Sequence, residues 1–170
     1  MGEKISNFNQ LAPTGFRLTI SREFYPHMQY FAQQVQHPSL EVPASDLSYK
    51  RLQNVGITGN QIVNGSVTID VLMDENMESY KEIYDWMSRM TDERHKPASA
   101  RFNNSSGEAV PTSYCDISLS ILTSSNNPNK EILYKNAFPT SLGDIQFNTT
   151  SSGEYITFPV TFRFDYFEFK

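Results

Sequence analysis

A change of hydrophobic period at Asp74 constrains the fold of this chain more than any other feature of its sequence. Before Asp74, apolar residues occupy every second position, which is the period of a half-buried strand: Val67, Ile69, Val71 and Met73. After it, they recur at the spacing of one helix face: Met77, Tyr80, Ile83, Tyr84, Met87 and Met90. The sequence therefore predicts a strand that leads directly into a helix over residues 75–90.

The charged residues around this transition support the same interpretation. Asp74 is a good helix cap, because its carboxylate accepts hydrogen bonds from the free N–H groups of the first turn. Glu75 and Glu78 lie where the helix dipole favours negative charge. The remaining charged residues fall on the opposite, solvated face: Lys81, Glu82, Asp85 and Arg89. Capping accounts for the acidic first turn, so no acid/base catalytic cluster is needed to explain it.

The composition favours one mainly β domain over residues 1–170. The chain has 170 residues, with 12 Phe and 9 Tyr, which suit pleated, half-buried surfaces. The formal net charge of −5 argues against a basic face that would bind nucleic acid. Cys115 is the single cysteine, which rules out an internal disulfide and predicts a reducing compartment. Residues 1–11 lack signal-peptide character and no apolar run is long enough for a membrane span, so we expect a cytosolic protein with no membrane partner.

The first half of the chain outside residues 67–90 predicts two strands and several loops. Residues 1–13 read as a polar N-terminal arm, and residues 16–20 alternate as a first strand. Pro26 breaks this strand, and residues 28–36 are predicted as a second strand that forms a hairpin with it. Residues 38–65 are punctuated by Pro and Gly and predict a long loop, a kind of segment that is commonly functional.

The second half predicts an exposed loop followed by several strands. The loop covers residues 91–113, and residues 115–121 alternate cleanly as a strand that pairs with residues 131–138 after a turn. We predict a corner at residues 139–143, a short strand at Ile145 and Phe147, and a final strand that is the longest and most regular. Its apolar face is predicted to comprise Ile156, Phe158, Val160, Phe162, Phe164 and Tyr166. The predicted fold is a β-sandwich or part-barrel of about seven antiparallel strands with one packed α-helix.

No motif in the sequence indicates an enzyme, a metal or a cofactor. His27, His37 and His95 are far apart, and none has the spacing of a metal site. Cys115 lies on the apolar face of its strand, which indicates a core residue and not a nucleophile. Phosphate-binding glycine loops and the nucleophile elbow are missing from the sequence. We therefore predict no catalytic residues, no metal and no cofactor, and we interpret the aromatic residues of the helix as packing.

The predicted elements include more strand edge, loop and arm than a small core needs. Unpaired edges in a monomer are normally blunted, whereas in a self-assembling protein they pair with the next subunit. This pattern suggests a protein that is completed by copies of itself.

The C-terminal third resembles a known family. Residues 137–147 read AFPTSLGDIQF, residues 156–162 alternate as I-x-F-x-V-T-F, and residues 165–168 read DYFE. These segments, in this order, resemble the tail tube proteins of contractile-tail bacteriophages of the T-even type, in which a Pro-Thr-x-x-Gly-acidic corner leads into a strand. The acidic helix start and Trp86 within the helix agree as well, and the resemblance spans residues 14–168.

The resemblance implies a structural virion protein of the inner tail tube. In that family, hexameric rings pool strands into a continuous barrel and stack inside a contractile sheath, and DNA passes non-specifically through the lumen during ejection. Residues 38–65 then correspond to the loop that reaches the adjacent ring. Expected partners are further copies of the chain, the sheath protein, a baseplate initiator and a tail terminator, assembled in the host bacterial cytoplasm. An acidic lumen lets DNA slide, and Asp70, Asp116 and Asp165 are our candidates for lumen-facing residues.

Alternative functions stay open at this point. Within the same class, the alternatives are a baseplate tube initiator, although initiators are typically longer, and the tube of a related injection machine, such as a type VI secretion system or a tailocin. From a different class, a β-sandwich of this size is compatible with a ligand-binding module, although its aromatic residues are spread over several strands and do not form one platform.

Overall fold

A computed structural model describes residues 11, 13–20, 25–49, 53–91, 114–149 and 155–170. Most of the predicted N-terminal arm and nearly all of the predicted loop over residues 91–113 lie outside these residues. His95 lies outside them too, so its prediction is not addressed by the structure.

The described residues form a mainly antiparallel β structure with two helices. The main sheet has seven strands: β1 (Phe16–Thr19), β2 (Ala32–Gln36), β7 (Val67–Leu72), β8 (Cys115–Leu122), β9 (Pro128–Leu142), β10 (Thr157–Arg163) and β11 (Tyr166–Phe169). Helix α1 (Pro26–Phe31) lies between β1 and β2 in the chain, and helix α2 (Glu78–Thr91) lies between β7 and β8. Between β2 and β7 lie four further strands, β3 (Leu40–Glu41), β4 (Ala44–Tyr49), β5 (Gln53–Thr58) and β6 (Val63–Asn64). The predicted fold class is confirmed, with a second helix that the sequence did not reveal.

Strand β9 belongs to both halves of the main sheet. The strand order is β1-β8-β9-β10-β7-β2, and β11 also pairs with β9. The first part of β9 pairs with β8 and β11, whereas residues 138–142 pair with β10. The two parts meet at Asn136, which has a φ of 54° and lies where the register with β8 shifts. A bulge of this kind bends a strand, and here it lets one strand pair with β8 and β11 before the bend and with β10 after it.

The core combines buried side chains from both parts of the main sheet with buried side chains of α1 and α2. Its largest fully buried side chains are Trp86, Tyr25, Tyr134, Phe158, Phe162 and Met28. Trp86 stacks on Tyr25 with ring centroids 4.2 Å apart and also contacts Phe162. Because aromatic side chains bury large areas, this group joins both helices to β10.

Helix α2 confirms the predicted helix, but it begins later, and its core-facing side is shifted from the predicted stripe. It starts at Glu78 and not at Glu75, because a turn containing Met77 at a φ of 56° precedes it. Its buried residues are Ser79, Ile83 and Trp86. Tyr84, which we placed on the apolar stripe, is 54% exposed, and Met77 is exposed as well. The other four residues of the predicted stripe are confirmed, because Ile83 is fully buried and Tyr80, Met87 and Met90 pack against the core. The buried face is therefore shifted part of the way around the helix, from Met77 and Tyr84 toward Trp86.

The prediction for residues 28–36 was wrong in its first half. Residues from Pro26 to Phe31 form α1, and only Ala32–Gln36 form a strand. Proline suits the first turn of a helix, because its missing N–H would have no partner there. The predicted hairpin with β1 is also wrong, because β1 pairs with β8 and β2 pairs with β7 at the opposite end of the strand order.

The predicted loop over residues 38–65 contains a two-stranded ribbon. Strands β3 and β6 pair at its base, and β4 and β5 pair further out. Two backbone hydrogen bonds extend the pairing, from Gly65 N to Ser39 O and from Gly59 N to Pro43 O. We refer to residues 39–65 as the ribbon.

Three predictions for the C-terminal region were wrong. The corner expected at residues 139–143 lies inside β9 up to Leu142, because Pro139 sits at a register shift with β10, where a proline is tolerated. Ile145 and Phe147 are not in a strand. The final strand is interrupted at Phe164 and Asp165, where the chain crosses from β10 to β11, so β9 is the longest strand. After this bend Tyr166 is exposed and Phe167 packs against the core.

Candidate assembly surfaces

Two of the three acidic candidates meet at the bulge of β9. Asp116 Oδ1 accepts the backbone N–H of Asn136 at 3.1 Å, and its other oxygen forms an ion pair with Lys135 Nζ at 2.5 Å. Asp165 Oδ2 accepts the Asn136 side-chain amide at 2.7 Å. Asp165 also donates its backbone N–H to the carbonyl of Lys135. Both carboxylates therefore hold the bulge that bends β9.

These contacts favour the ionised form of Asp116. Partial burial opposes ionisation, but the hydrogen bonds from Lys135 and from Asn136 outweigh it and lower the pKa of Asp116. The same contact raises the pKa of Lys135. The polar face of β8 and β9 is thus internally paired, and Ser118 adds a hydrogen bond to Glu131 at 2.6 Å.

Asp70 lies apart from the other two candidates, on β7. Its neighbours across the sheet are Pro159 of β10 and Gln34 of β2. It is half-buried and alternates with Ile69 and Val71, which are fully buried, so its side chain lies on the opposite face of the strand. The same outward face of β10 carries mostly uncharged residues, namely Thr157, Pro159, Thr161 and Arg163.

The base of the ribbon is attached to the sandwich at both of its ends. On the incoming side, His37 Nδ1 lies 2.7 Å from the hydroxyl of Tyr134, and its ring packs edge-on against Phe167. On the outgoing side, the Asn64 side-chain amide donates to the carbonyl of Asp165 at 3.2 Å. Both attachments fall where β9, β10 and β11 meet, so the strand bend and the ribbon base are one structural unit.

The ribbon exposes several large apolar side chains. These are Leu40, Val42, Ile57, Ile62 and Val63, and Ile62 is 64% exposed. A group of exposed apolar residues on a projecting element marks an interaction site, whereas scattered single residues do not. The ribbon is therefore a candidate contact surface.

Strand edges at both ends of the strand order also lack partners among the described residues, and β11, which pairs there with β9 alone, has an open edge too. Strand β1 pairs with β8 on one side, and β2 pairs with β7 on one side, and both lie at the ends of the strand order. An open strand edge presents unpaired N–H and C=O groups to another chain.

The acidic start of α2 is a structural cap, as the sequence predicted. Asp74 accepts hydrogen bonds from the backbone N–H groups of Glu78 and Ser79, both at 2.9 Å, and from the Ser79 hydroxyl at 2.6 Å. Burial opposes ionisation, but these hydrogen bonds dominate and lower the pKa of Asp74 to about 2.

No feature of the described residues points to a metal or a membrane span. In the part of the chain that the structure describes, no three His, Cys, Asp or Glu side chains are grouped to hold a metal ion. The helices of that part are too short or too polar to cross a bilayer. Cys115 is half-buried and packs against the core.

A sequence profile of the phage tail tube protein family matches residues 5–170, which is nearly the whole chain. The chain belongs to the phage tail tube protein family. The match confirms the family that the C-terminal residues suggested, and it includes the ribbon, the open strand edges and the acidic candidates. Members of this family are structural proteins of the tail.

Solved structures of other assemblies share the fold of this tail tube protein. A chain of the sheath-tube complex of an extracellular contractile injection system (PVC) in the extended state is 15% identical, with a TM-score of 0.65, covering 96% of this chain and 93% of that one. A chain of the tube-terminating cap of the anti-feeding prophage is 15% identical, with a TM-score of 0.66, covering 99% and 95%. No curated protein sequence matches. At this identity, the likeness concerns the fold.

Sequence reasoning missed the residues that fix the ribbon and the bulge. His37, Asn64 and Asn136 are separated by long stretches of chain, and their contacts form only through tertiary structure. One signal was available for Asn136, because Asn is among the few residues that readily adopt a positive φ. No local pattern marks His37 or Asn64.

Proposed function

We propose that this tail tube protein forms the inner tube of a contractile phage tail, as hexameric rings stacked into a hollow conduit for DNA. The observation that carries the proposal is the ribbon, which is held firmly at its base and exposes five large apolar side chains. A monomer gains nothing from such an element, whereas a neighbouring ring that covers it buries apolar surface and stabilises the stack.

The open edges of β1 and β2 supply the contacts within a ring. They lie at opposite ends of one sheet, so pairing of one subunit's edge with the next is a head-to-tail contact that closes when the rotation fits a ring. Closure removes the exposed edges, as in a β-barrel. The ribbon then contacts the ring above or below, which gives a tube of indefinite length.

Of the three acidic candidates, Asp70 has the geometry that best suits a lumen. Its face of β7 and β10 has few charged residues and makes no ion pair within the described ranges. A surface without basic clusters binds phosphate weakly, so DNA slides past it. Asp116 and Asp165 also remain lumen candidates, but their carboxylates brace the β9 bulge, and substituting them affects folding as well as charge.

Sheath, terminator and baseplate initiator are the partners this function requires. The similar fold in a sheath-tube complex and in a tube-terminating cap supports a tube that is covered by a sheath and closed at its end. The protein then resides in the virion tail after assembly in the bacterial host cytoplasm. The same similarity supports the second candidate function, the tube of a related contractile injection system, and a baseplate tube initiator is a third within this class.

Electron microscopy of the purified protein tests the proposal directly. We expect rings or tubes of uniform diameter, and we expect the double substitution Val42→Ser and Ile62→Ser to abolish stacking, because both exposed side chains lie on the ribbon. The control is Tyr155→Ser, which replaces a still more exposed large side chain outside the ribbon. Monomers alone, even with a baseplate initiator present, would contradict the tube function.

A second experiment separates a DNA conduit from a conduit for another cargo. Phage carrying Asp70→Lys should eject DNA more slowly than wild type, because a ring of added positive charges holds phosphate through counterion release. Charge-neutral Asp70→Asn is the control for the substitution itself. Unchanged ejection with Asp70→Lys, in tails of normal length, would remove Asp70 from the lumen.

A further inference from the structure

His37 occupies the point at which the chain leaves the sandwich and enters the ribbon. It follows β2 directly and is followed by the buried Pro38. We propose that the contact between His37 and Tyr134 is a pH-sensitive latch, and that protonation of His37 releases the incoming end of the ribbon from the sandwich.

The hydrogen bond that the Tyr134 hydroxyl donates to His37 depends on a neutral imidazole. Tyr134 is fully buried, so its O–H needs an acceptor, and His37 Nδ1 at 2.7 Å is the one that the described residues supply. Neutral His37 with its proton on Nε2 accepts this bond. Once protonated, both ring nitrogens are donors, and the Tyr134 hydrogen loses its acceptor in an aromatic environment. An unsatisfied buried donor is costly, so the protonated pair separates.

One side of the His37 ring packs against aromatic side chains, which disfavours the charged form, although the residue as a whole is exposed. The groups that face it are Tyr134 from β9 and Phe167 from β11, and Tyr134 is in turn packed against Phe164. No carboxylate within the described ranges forms an ion pair with His37. Burial accordingly lowers the pKa of His37 and raises that of Tyr134. Among the described residues, the His37 imidazolium would therefore have no carboxylate partner to stabilise it.

The outgoing end of the ribbon does not share this sensitivity. Asn64 donates an amide hydrogen to the carbonyl of Asp165, and neither group titrates near neutrality. The base pairing of β3 with β6 also involves backbone groups alone. Protonation therefore frees one end while the other stays attached, which leaves the ribbon able to pivot about Asn64.

The direction of the pH effect follows from the lowered pKa of His37. The unfolded or released state binds the proton more tightly than the latched state, so the latch is at full strength above the ordinary histidine value of 6.5 and weakens as the pH falls below it. Resting on the proposed inter-ring role of the ribbon, the latch further predicts that stacking is favoured at neutral pH and opposed by acid.

Amide hydrogen exchange on the unassembled protein tests the latch without relying on assembly. Release of the incoming end removes the support of the two-residue pairing of β3 with β6, so protection of peptides at the ribbon base, residues 39–42 and 62–65, corrected for intrinsic rates, should fall between about pH 7.5 and about pH 5, by up to about tenfold per pH unit. His37→Asn stays neutral and still offers an amide oxygen to Tyr134, so it should keep the protection and lose the pH step. Tyr134→Phe should lose protection at neutral pH and show no step.

The control variant is His27→Gln, which removes a histidine far from the ribbon base and should retain the wild-type step. A flat exchange profile in the wild type would overturn the latch, and so would an unchanged step in His37→Asn. Sedimentation of tubes at the two pH values then tests the link to stacking, where His37→Asn should resist acid better than wild type. If no variant assembles at any pH, the proposed tube function fails, while the exchange result still decides the latch.

Discussion

Glu82 Oε1 lies 2.6 Å from Nδ1 of His27, which places a carboxylate of α2 at the first turn of α1. The same carboxylate accepts the backbone N–H groups of His27 and Met28, at 3.3 and 3.0 Å. Helix α1 has six residues and no side-chain cap of its own. Since the first N–H groups of a helix have no internal partners, Glu82 supplies from a distant part of the chain the cap that α1 lacks.

This relationship predicts that His27 stabilises the fold most strongly in its protonated form. The hydrogen bond to Glu82 is the main cause, and together with the charges of Glu82 and Glu78 it raises the pKa of His27. The contribution is therefore complete below the ordinary value of 6.5 and is lost as the pH rises through the raised value. Urea unfolding of the unassembled protein across this range should show a stability difference between wild type and His27→Gln that shrinks with rising pH.

The sign of this effect is opposite to that expected for His37. His37→Asn is thus an internal control, because its difference from wild type should change with pH in the other direction. A difference for His27→Gln that does not vary with pH would contradict the raised pKa, because it would mean that His27 has the same pKa in the folded and unfolded states.

The cap of α2 gives a prediction at lower pH. Asp74→Ala removes the acceptor for Glu78 N–H and Ser79 N–H and should lower the free energy of unfolding by about 1 kcal/mol at neutral pH. Because the pKa of Asp74 is lowered to about 2, the wild-type advantage is present above 3.8 and disappears as the pH falls through about 2. Chemical denaturation followed by circular dichroism measures both effects. The control is Glu75→Ala, an exposed carboxylate beside the same helix start, which should change the free energy little.

The parts of the fold that the sequence predicted are those whose evidence is local. Strands β7 and β8 and helix α2 each bury one face, so their hydrophobic period is visible in the sequence. Helix α1 was missed because its cap is Glu82, more than fifty residues away along the chain. Strand β9 was cut short at Pro139 because the sequence does not show that a bulge receives the proline.

The features of the candidate surfaces also differ in whether local sequence or tertiary contacts determine them. The outward position of Asp70 follows from strand alternation alone. The meeting of Asp116 and Asp165 at Asn136 does not, because it requires the bend of β9 and the crossing from β10 to β11. The ribbon was correctly located as an unusual segment, but its strands and its attachment through His37 depend on partners that only the folded chain provides.

The rotation of α2 relative to the predicted stripe is tested by two aromatic substitutions on the same helix. Trp86 is fully buried and stacked on Tyr25, so Trp86→Ala should lower the free energy of unfolding by about 3–5 kcal/mol. Tyr84→Ala removes an exposed ring and should cost less than about 0.5 kcal/mol. Thermal or urea unfolding of both variants checks this order. A larger loss of stability for Tyr84→Ala than for Trp86→Ala would mean that Tyr84, and not Trp86, lies on the core-facing side of α2.

The glycine of the Pro-Thr-x-x-Gly-acidic segment has a packing reason that gives the last prediction. Gly143 donates its N–H to the carbonyl of Pro159 at 2.8 Å, and a Cβ at this position would lie 2.7 Å from Pro159 Cδ and 2.9 Å from its carbonyl oxygen. Because the obstacle includes backbone, it cannot move aside cheaply. Gly143→Ala should therefore push the end of β9 away from β10 and lower the free energy of unfolding by about 1–3 kcal/mol.

The matched control is Gly56→Ala in the ribbon, where the nearest atom to an added Cβ is Asp46 Oδ1 at 3.7 Å. That substitution should be neutral or stabilising by up to about 1 kcal/mol, because it restricts the unfolded chain without a clash. Equal effects for the two variants would mean that glycine at position 143 serves backbone freedom in general. A selective loss at Gly143, measured by urea unfolding, would show that the glycine is needed for the close approach of β9 and β10.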